Sequence, residues 1–127
     1  MAIDLLSKFS VTNKVDSKEN IDMISDILIA KEKVDLAYTH VRDKVWFTNK
    51  RIIALDVKGL TGSKKEFRMF PYSQITSFTI ETAGTFDLDC DFHIFISGLG
   101  EIVVKFAKSI DIKEIGLYMS KKVLQDK

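Results

Sequence analysis

The sequence predicts a mainly β fold with one C-terminal helix, on three observations. Apolar and polar residues alternate between Thr82 and Ser97, which is the two-residue period of a half-buried strand. Six further segments with strand patterns, separated by short turns, lie between residues 33 and 107. From Ser109 onward the period becomes that of an amphipathic helix. Seven antiparallel strands of this kind form two packed sheets or an open barrel, with the helix over one end.

The first thirty residues are predicted as an arm followed by a helix. Ile3, Leu6 and Phe9 recur at helical spacing, which predicts a short arm that docks on the body or on a neighbouring molecule. Asp16 and Glu19 have the spacing of a capping box, and the apolar residues that follow predict a helix over residues 17–29. We expect this helix to lie against the sheets.

The first three strands of the predicted body follow one another through tight turns. Residues 34–40 alternate in polarity, and Arg42 and Asp43 then turn the chain into a strand at 45–47. The sequence TNKR at 48–51 is a second turn, because threonine and asparagine side chains readily hydrogen-bond their own backbone. Residues 52–57 return as the third strand.

Glycine and proline mark the remaining turns. A loop at 58–63 carries two glycines, and the strand that follows it closes at Pro71, which has no N–H to donate to a ladder. A strand from residue 75 to 80 leads into the 82–97 segment, and Gly98 and Gly100 turn that segment into the last strand at 102–106. Asp111 is the expected cap of the C-terminal helix, and Gly116 allows that helix to approach the sheets closely.

The strand predicted around Cys90 has one apolar face and one acidic face. The apolar positions are Phe86, Leu88, Cys90, Phe92, Ile94 and Ile96, and the polar positions are Asp87, Asp89, Asp91 and His93. Carboxylates about 7 Å apart on one strand face repel one another. The acidic face is therefore expected in water, against a basic strand, or against another subunit.

Length and composition restrict the class of protein. The chain has 127 residues and a formal net charge of +1, which predicts one domain and no electrostatic preference for nucleic acid. We expect the arm and helix at 1–30, the seven strands at 33–107 and the C-terminal helix at 109–125. The single cysteine, Cys90, predicts a buried thiol without a disulfide. The start of the chain has no pattern of a signal peptide or membrane span, so a cytoplasmic location is predicted.

Four segments in this order resemble the bacterial pleckstrin-homology-like domain family. They are VWFTNKRIIALD at 45–56, GLTGSKK at 59–65, FPYSQI at 70–75 and ETAGTFDLDCDFHI at 81–94. The resemblance runs from about Ile29 through the C-terminal helix. It implies the pleckstrin-homology (PH) fold, with seven strands in two near-orthogonal sheets and a helix over one open end. It also implies cyclic homo-oligomers whose protomers meet around a hydrophilic surface, in a five-membered ring for single-domain members.

The acidic face is interpreted as part of a polar interaction surface. Glu81 extends the row of carboxylates, and basic residues of other strands or of the next protomer supply counter-charge. The predicted surface comprises Arg51, Lys65, Glu81, Asp87, Asp89 and Asp91. A solvated strand face without a partner is the alternative interpretation, because charged residues are the default on outer faces.

Catalytic, cofactor and metal sites are not predicted. The three aspartates do not start a calcium loop, because the sixth position is Phe92 and the twelfth is Gly98. His40 falls in the apolar register of its strand, which indicates a core or interface residue. His93 lacks a recognisable nucleophile beside it.

The predicted function is a non-catalytic protein–protein interaction module that assembles into a cyclic homo-oligomer. Its predicted partners are further copies of itself and another protein. The alternative is a peripheral membrane domain that binds lipid or another anionic ligand, using the arm at residues 3–9. The connection Arg42-Asp43-Lys44 argues against a headgroup site there, because clamping phosphates takes several converging cations.

Overall fold

The computed structural model describes residues 5–82 and 89–124, with the backbone alone for residues 5–8. Within these ranges the chain forms nine strands and one α-helix. The strands are β1 (Leu5–Val11), β2 (Asn13–Val15), β3 (Val34–His40), β4 (Asp43–Thr48), β5 (Arg51–Lys58), β6 (Lys64–Pro71), β7 (Ile75–Thr82), β8 (Cys90–Ile96) and β9 (Gly100–Phe106), and the helix is α1 (Ile112–Leu124). Strands β3 to β9 are the seven that the sequence predicts.

Two sheets form a sandwich rather than a closed barrel. The four-stranded sheet has the order β1-β9-β8-β7, and the five-stranded sheet has the order β2-β3-β4-β5-β6. The main core lies between them, because buried residues of both sheets join one cluster, among them Tyr38, Phe47, Phe92 and Phe106. The predicted mainly β fold with a C-terminal helix is therefore confirmed.

The N-terminal arm is a strand, so the helical interpretation of residues 3–9 is wrong for its described part. β1 pairs in parallel with β9, and Phe9 and Val11 are buried. These two residues are two positions apart, as on one face of a strand. Pairing with β9 provides hydrogen-bond partners for one side of the arm's backbone, which outweighs the weak helical spacing. Ile3 lies outside the described residues.

The helix predicted over residues 17–29 is also absent, and two 3-10 turns at Ile21–Met23 and Ser25–Ile27 take its place. Asp16 accepts a hydrogen bond from the Lys18 N–H at 2.8 Å instead of capping a helix. Asn20 follows with a left-handed φ of 61°, which an α-helix does not tolerate.

The segment with the two 3-10 turns nevertheless covers a sheet, as expected. Ile24 is buried in a second cluster on the outer face of the five-stranded sheet, together with Trp46 and Ile53. Because this segment covers one face and the main core covers the other, β4 and β5 are buried on both sides. That explains why β5 has an unbroken run of four buried residues at 52–55.

Helix α1 packs across one corner of the sandwich. Asp111 caps it, since its carboxylate accepts from the Lys113 N–H at 3.0 Å. Ile115, Gly116 and Met119 form its buried face. A β-carbon on Gly116 would lie 3.2 Å from Ile80 Cδ1, so the expected close approach between this helix and the sheet is confirmed.

Candidate interaction surface

The structure divides the six predicted surface residues between two sheets. Glu81 on β7 and Asp91 on β8 lie directly opposite each other in the strand register. Asp89 is exposed just before β8. Arg51 and Lys65 belong to β5 and β6 of the other sheet. Asp87 lies outside the described residues, as do the neighbouring Phe86 and Leu88.

Arg51 does not provide counter-charge to the acidic strand of its own chain. Its Nε donates to the Glu32 carboxylate at 2.9 Å, and that carboxylate is fully buried. Arg51 also donates through Nη2 to the carbonyl of Ile27 at 2.7 Å. The sequence reveals the positive charge but not this partner, because Glu32 lies in an irregular segment outside any strand or helix. Arg51 therefore fastens the 3-10 segment to the sheet.

Lys65 is exposed near the start of β6, which is the last strand of its sheet within the described chain. In the register it lies opposite Val57, whereas Arg51 lies opposite Pro71 at the other end of the strand pair. The two predicted basic residues are thus separated by the length of β6. Lys65 is exposed, whereas the Arg51 side chain is 19% exposed and bonds to Glu32.

His93 is the centre of a polar cluster on the outer face of the four-stranded sheet. Its Nδ1 lies 2.9 Å from Glu101 Oε2 on β9, and its Nε2 lies 3.1 Å from Glu81 Oε1 on β7. The hydrogen bond to Glu101 raises the pKa of His93, burial opposes that effect, and Glu81 adds to the rise. Two carboxylates on opposite sides of the ring favour its protonated form.

The cluster extends along β8 to Asp91. Carboxylate oxygens of Glu81 and Asp91 and a ring nitrogen of His93 all lie within 4.8 Å of one another. Asp91 also lies opposite Lys105 in the register of β8 and β9. The alternating pattern predicts that Asp91 and His93 share a face. It does not reveal Glu101, whose contact with His93 depends on the register between β8 and β9.

Strand β7 forms the edge of this sheet among the described strands. Most of its residues are exposed, including Thr79, Ile80 and Glu81. Edge strands present backbone hydrogen-bonding groups that a second chain can use, unless the edge is covered or charged. The acidic cluster therefore lies beside one exposed edge of the sheet.

Cys90 differs from its predicted environment, whereas His40 has a partner on a neighbouring segment. Cys90 is a free, half-buried thiol at the start of β8, so the prediction of a buried thiol is wrong. His40 is half-buried, and its Nδ1 lies 3.2 Å from Thr12 Oγ1, which joins the first strands of the chain to β3.

A groove lies between α1 and β3, apart from the cluster around His93. The groove has a volume of about 240 Å³ and is lined by Asp35, Leu36, Glu114, Leu117, Tyr118 and Lys121. At its base the Tyr118 hydroxyl lies 2.8 Å from Asp35 Oδ2 and 2.7 Å from the Thr48 carbonyl. Burial raises the pKa of Tyr118, and the neighbouring Tyr72 and Asp35 add to the rise. The phenol stays neutral and holds the helix in place.

No helix within the described ranges is long and apolar enough to span a membrane.

Known proteins are similar to this chain in sequence and fold. The signature of the family described as "Bacterial PH domain" matches residues 5–123. The chain is 45% identical over 94 residues to the Bacillus subtilis (strain 168) protein YjqA, across 72% of this chain and 75% of that protein.

Two crystal structures from Shewanella are similar throughout. A DUF1696-family protein with a pleckstrin-homology domain from Shewanella loihica PV-4 is 36% identical, with a TM-score of 0.81 over 87% of this chain and 95% of that one. A pleckstrin homology domain from Shewanella amazonensis SB2B is also 36% identical, with a TM-score of 0.71 over 86% of this chain and 89% of that one. The sequence signature and these two folds agree with the sandwich described above, and this chain belongs to the bacterial PH domain family.

Proposed function

We propose that this chain is a non-catalytic protein–protein interaction module that assembles into a five-membered ring of identical subunits. The observation that carries the proposal is the polar cluster around His93, which lies beside the edge strand β7 on a fold whose relatives are PH domains. The module acts by presenting several copies of one polar surface to a partner, because a closed ring repeats that surface around its axis. Weak contacts to a multivalent partner then add through effective concentration.

Charge complementarity supports a head-to-tail arrangement. Cyclic rings larger than dimers join two different patches of the same protein. Glu81 and Asp89 mark an acidic patch at the β7–β8 edge, and Lys64 and Lys65 mark a basic patch at the start of β6. These patches lie at edges of different sheets. We infer that the acidic patch of one protomer faces the basic patch of the next.

The test is charge reversal followed by measurement of mass in solution. Glu81→Lys and Lys65→Glu are each expected to lower the assembled fraction, and the double variant is expected to restore it because the pair is reversed. Asp89→Lys is expected to alter assembly or partner binding while the fold stays intact. Asp26→Lys is the matched control, because Asp26 is an exposed acid in the segment over the other sheet. Unchanged mass and unchanged partners in all the surface variants would refute the proposal.

Binding to an anionic lipid surface is the second candidate, and one specific observation favours it. Val41 and Leu60 are both strongly exposed, at the tips of two neighbouring loops. Arg42 joins these loops, since its Nη1 donates to the Gly59 carbonyl at 2.7 Å. Lys58 lies at the base of the second loop and is exposed. Apolar tips flanked by cations are suited to the interface of a bilayer.

Vesicle co-sedimentation separates the two candidates. The lipid candidate predicts binding to phosphatidylserine-containing vesicles that weakens from low to high salt. It also predicts loss of binding in the variant Leu60→Asp. Absence of binding at low salt would eliminate it and leave the interaction module. We place that module in the cytoplasm, where a free thiol such as that of Cys90 stays reduced.

A further inference from the structure

Two carboxylates and one imidazole converge on the outer face of the four-stranded sheet. Glu81 projects from β7, and Asp91 and His93 project from alternate positions of β8. One oxygen or nitrogen atom from each lies within 4.8 Å of the other two. We propose that these three residues bind a divalent first-row transition-metal ion, with Zn²⁺ as the representative.

The distances fit zinc after a small adjustment. Ligand atoms about 2.1 Å from a tetrahedral zinc ion stand about 3.4 Å apart. The Glu81 side chain is 67% exposed, so it can rotate to shorten its separation from the other two groups. Asp91 and His93 lie on one regular strand, which fixes their relative positions. Three protein ligands leave the fourth position for water or for a side chain of a docked molecule.

Glu101 orients the imidazole for this role. Its Oε2 lies 2.9 Å from His93 Nδ1, and the Glu101 side chain is only 20% exposed. A carboxylate that accepts from one ring nitrogen leaves the other nitrogen for a metal ion, which is a common second layer of contacts around metal-binding histidines. Here the available atom is Nε2, which faces Glu81. A metal ion that binds Nε2 displaces the proton held there, and the proton passes to the solvent.

The charges of the cluster favour a cation. Glu81, Asp91 and Glu101 bring three carboxylates around one imidazole, while Lys105 lies opposite Asp91 in the register. A divalent ion would neutralise more of this charge than the proton on the ring. The imidazole ligand favours zinc, cobalt or nickel over magnesium and calcium, which take oxygen ligands. Cys90 directly precedes Asp91 on β8, so its side chain lies on the other face of the strand and is not a ligand.

The first experiment is calorimetric titration of the full-length, untagged chain with Zn²⁺ alone. One ion per chain is expected to bind. His93→Gln is expected to weaken binding by about 100-fold or more, because it removes the nitrogen ligand. Glu101→Gln is expected to weaken binding by about tenfold, as loss of an orienting partner does. His40→Gln is the matched control, since the chain has two histidines, and its affinity should equal that of the starting protein.

Lys105→Gln is a variant that should strengthen zinc binding instead of weakening it. Removing the positive charge of Lys105, which lies opposite Asp91 in the register, is expected to tighten Zn²⁺ binding by severalfold. Magnesium and calcium at millimolar concentration should leave the zinc titration unchanged. Thermal unfolding of each metal-free variant checks that the fold is retained.

Spectroscopy of the unmodified chain tests the proposed metal site without relying on the folding of any variant. Zn²⁺ should shift the NMR signal of His93 Nε2 and leave His40 unchanged. Co²⁺ should give a visible absorption spectrum without the charge-transfer band of a thiolate ligand. The proposal is overturned if His93→Gln binds Zn²⁺ within about threefold of the starting protein, or if Zn²⁺ leaves the His93 signal unchanged. The zinc titration and the mass in solution are separate measurements, so failure of metal binding is distinguishable from failure of assembly.

Discussion

The Arg51 guanidinium lies 2.9 Å from the fully buried carboxylate of Glu32. The same carboxylate accepts from the Thr48 hydroxyl at 2.7 Å and from the Ile29 N–H at 3.1 Å. Three donors thus satisfy one buried charge at the point where the 3-10 segment meets β5. This arrangement closes the outer face of the five-stranded sheet.

Replacing Arg51 by alanine is expected to lower the free energy of unfolding by about 3 kcal/mol, because it leaves the Glu32 carboxylate buried without its cation. Urea unfolding measures the change. Lys50→Ala is the matched control, because Lys50 is an exposed neighbour in the same turn, and it should change stability by less than about 0.5 kcal/mol. Equal effects of the two variants would contradict the role assigned to this ion pair.

Glu32 also predicts a loss of stability in acid. Burial alone would raise its pKa, but hydrogen bonds from Arg51, Thr48 and the Ile29 N–H outweigh burial and lower it. A lowered pKa in the folded chain contributes stability above the unfolded value of about 4.5, and that contribution disappears as the pH falls through the folded pKa. Glu32→Gln should therefore flatten the dependence of unfolding free energy on pH below about 4.5. An unchanged slope in that range would refute this assignment.

Ile24 provides a test of the covering segment as a whole. It is 1% exposed, whereas Ile29 at the end of the same segment is 61% exposed. Ile24→Ala is expected to cost about 2–5 kcal/mol, because it leaves a cavity over Trp46. Ile29→Ala should cost less than about 0.5 kcal/mol. Chemical unfolding of the two variants gives the comparison, and similar losses would mean that the segment does not form a core.

The close contact between Gly116 and Ile80 predicts a coupled effect. Gly116→Val adds branched carbons to a β-carbon that would itself lie 3.2 Å from Ile80 Cδ1. The free energy of unfolding is therefore expected to fall by about 1–3 kcal/mol. Combining Gly116→Val with Ile80→Ala should recover part of that loss, since the opposing methyl group is gone. Thermal unfolding of the two single variants and the double variant measures the coupling. Strict additivity would contradict direct contact between helix and strand.

The body of the fold is predictable from the sequence because most of its strands have an alternating pattern and its turns use residues with local preferences. Thr48 illustrates this, since its hydroxyl accepts from the N–H groups of Lys50 and Arg51 at 3.0 and 2.9 Å. Asp111 caps the C-terminal helix in the same local way. Interactions within a few residues leave a pattern that the sequence displays.

The conformation of the first thirty residues is not predictable in this way, because it depends on distant partners. Phe9 lies in a strand because that segment pairs with β9, which comes about ninety residues later in the chain. Ile24 has helical spacing from Ile21 and Leu28, but its burial requires only that the segment cross Trp46. Tertiary contacts determine the backbone here, and local preference does not.

The surface is predictable only in its charge pattern. Alternation along β8 places Asp91 and His93 on one face. The partners of these residues depend on which strands become neighbours and in which register. Glu101 on β9 contacts His93 on β8, and Arg51 in the other sheet donates to Glu32, which lies in an irregular segment outside both sheets. The observed cluster therefore differs from the predicted surface, because the cluster depends on pairings between elements that are distant in the sequence.

Sedimentation velocity of the purified full-length chain tests the central proposal most directly. Assembly into a five-membered ring predicts one species of five times the 14.5 kDa mass of a single chain at micromolar concentration. Glu81→Lys should shift the distribution toward the mass of one chain, and added salt should weaken the assembly because the contacts are charged. A single species at 14.5 kDa over the whole concentration range would contradict the proposed function.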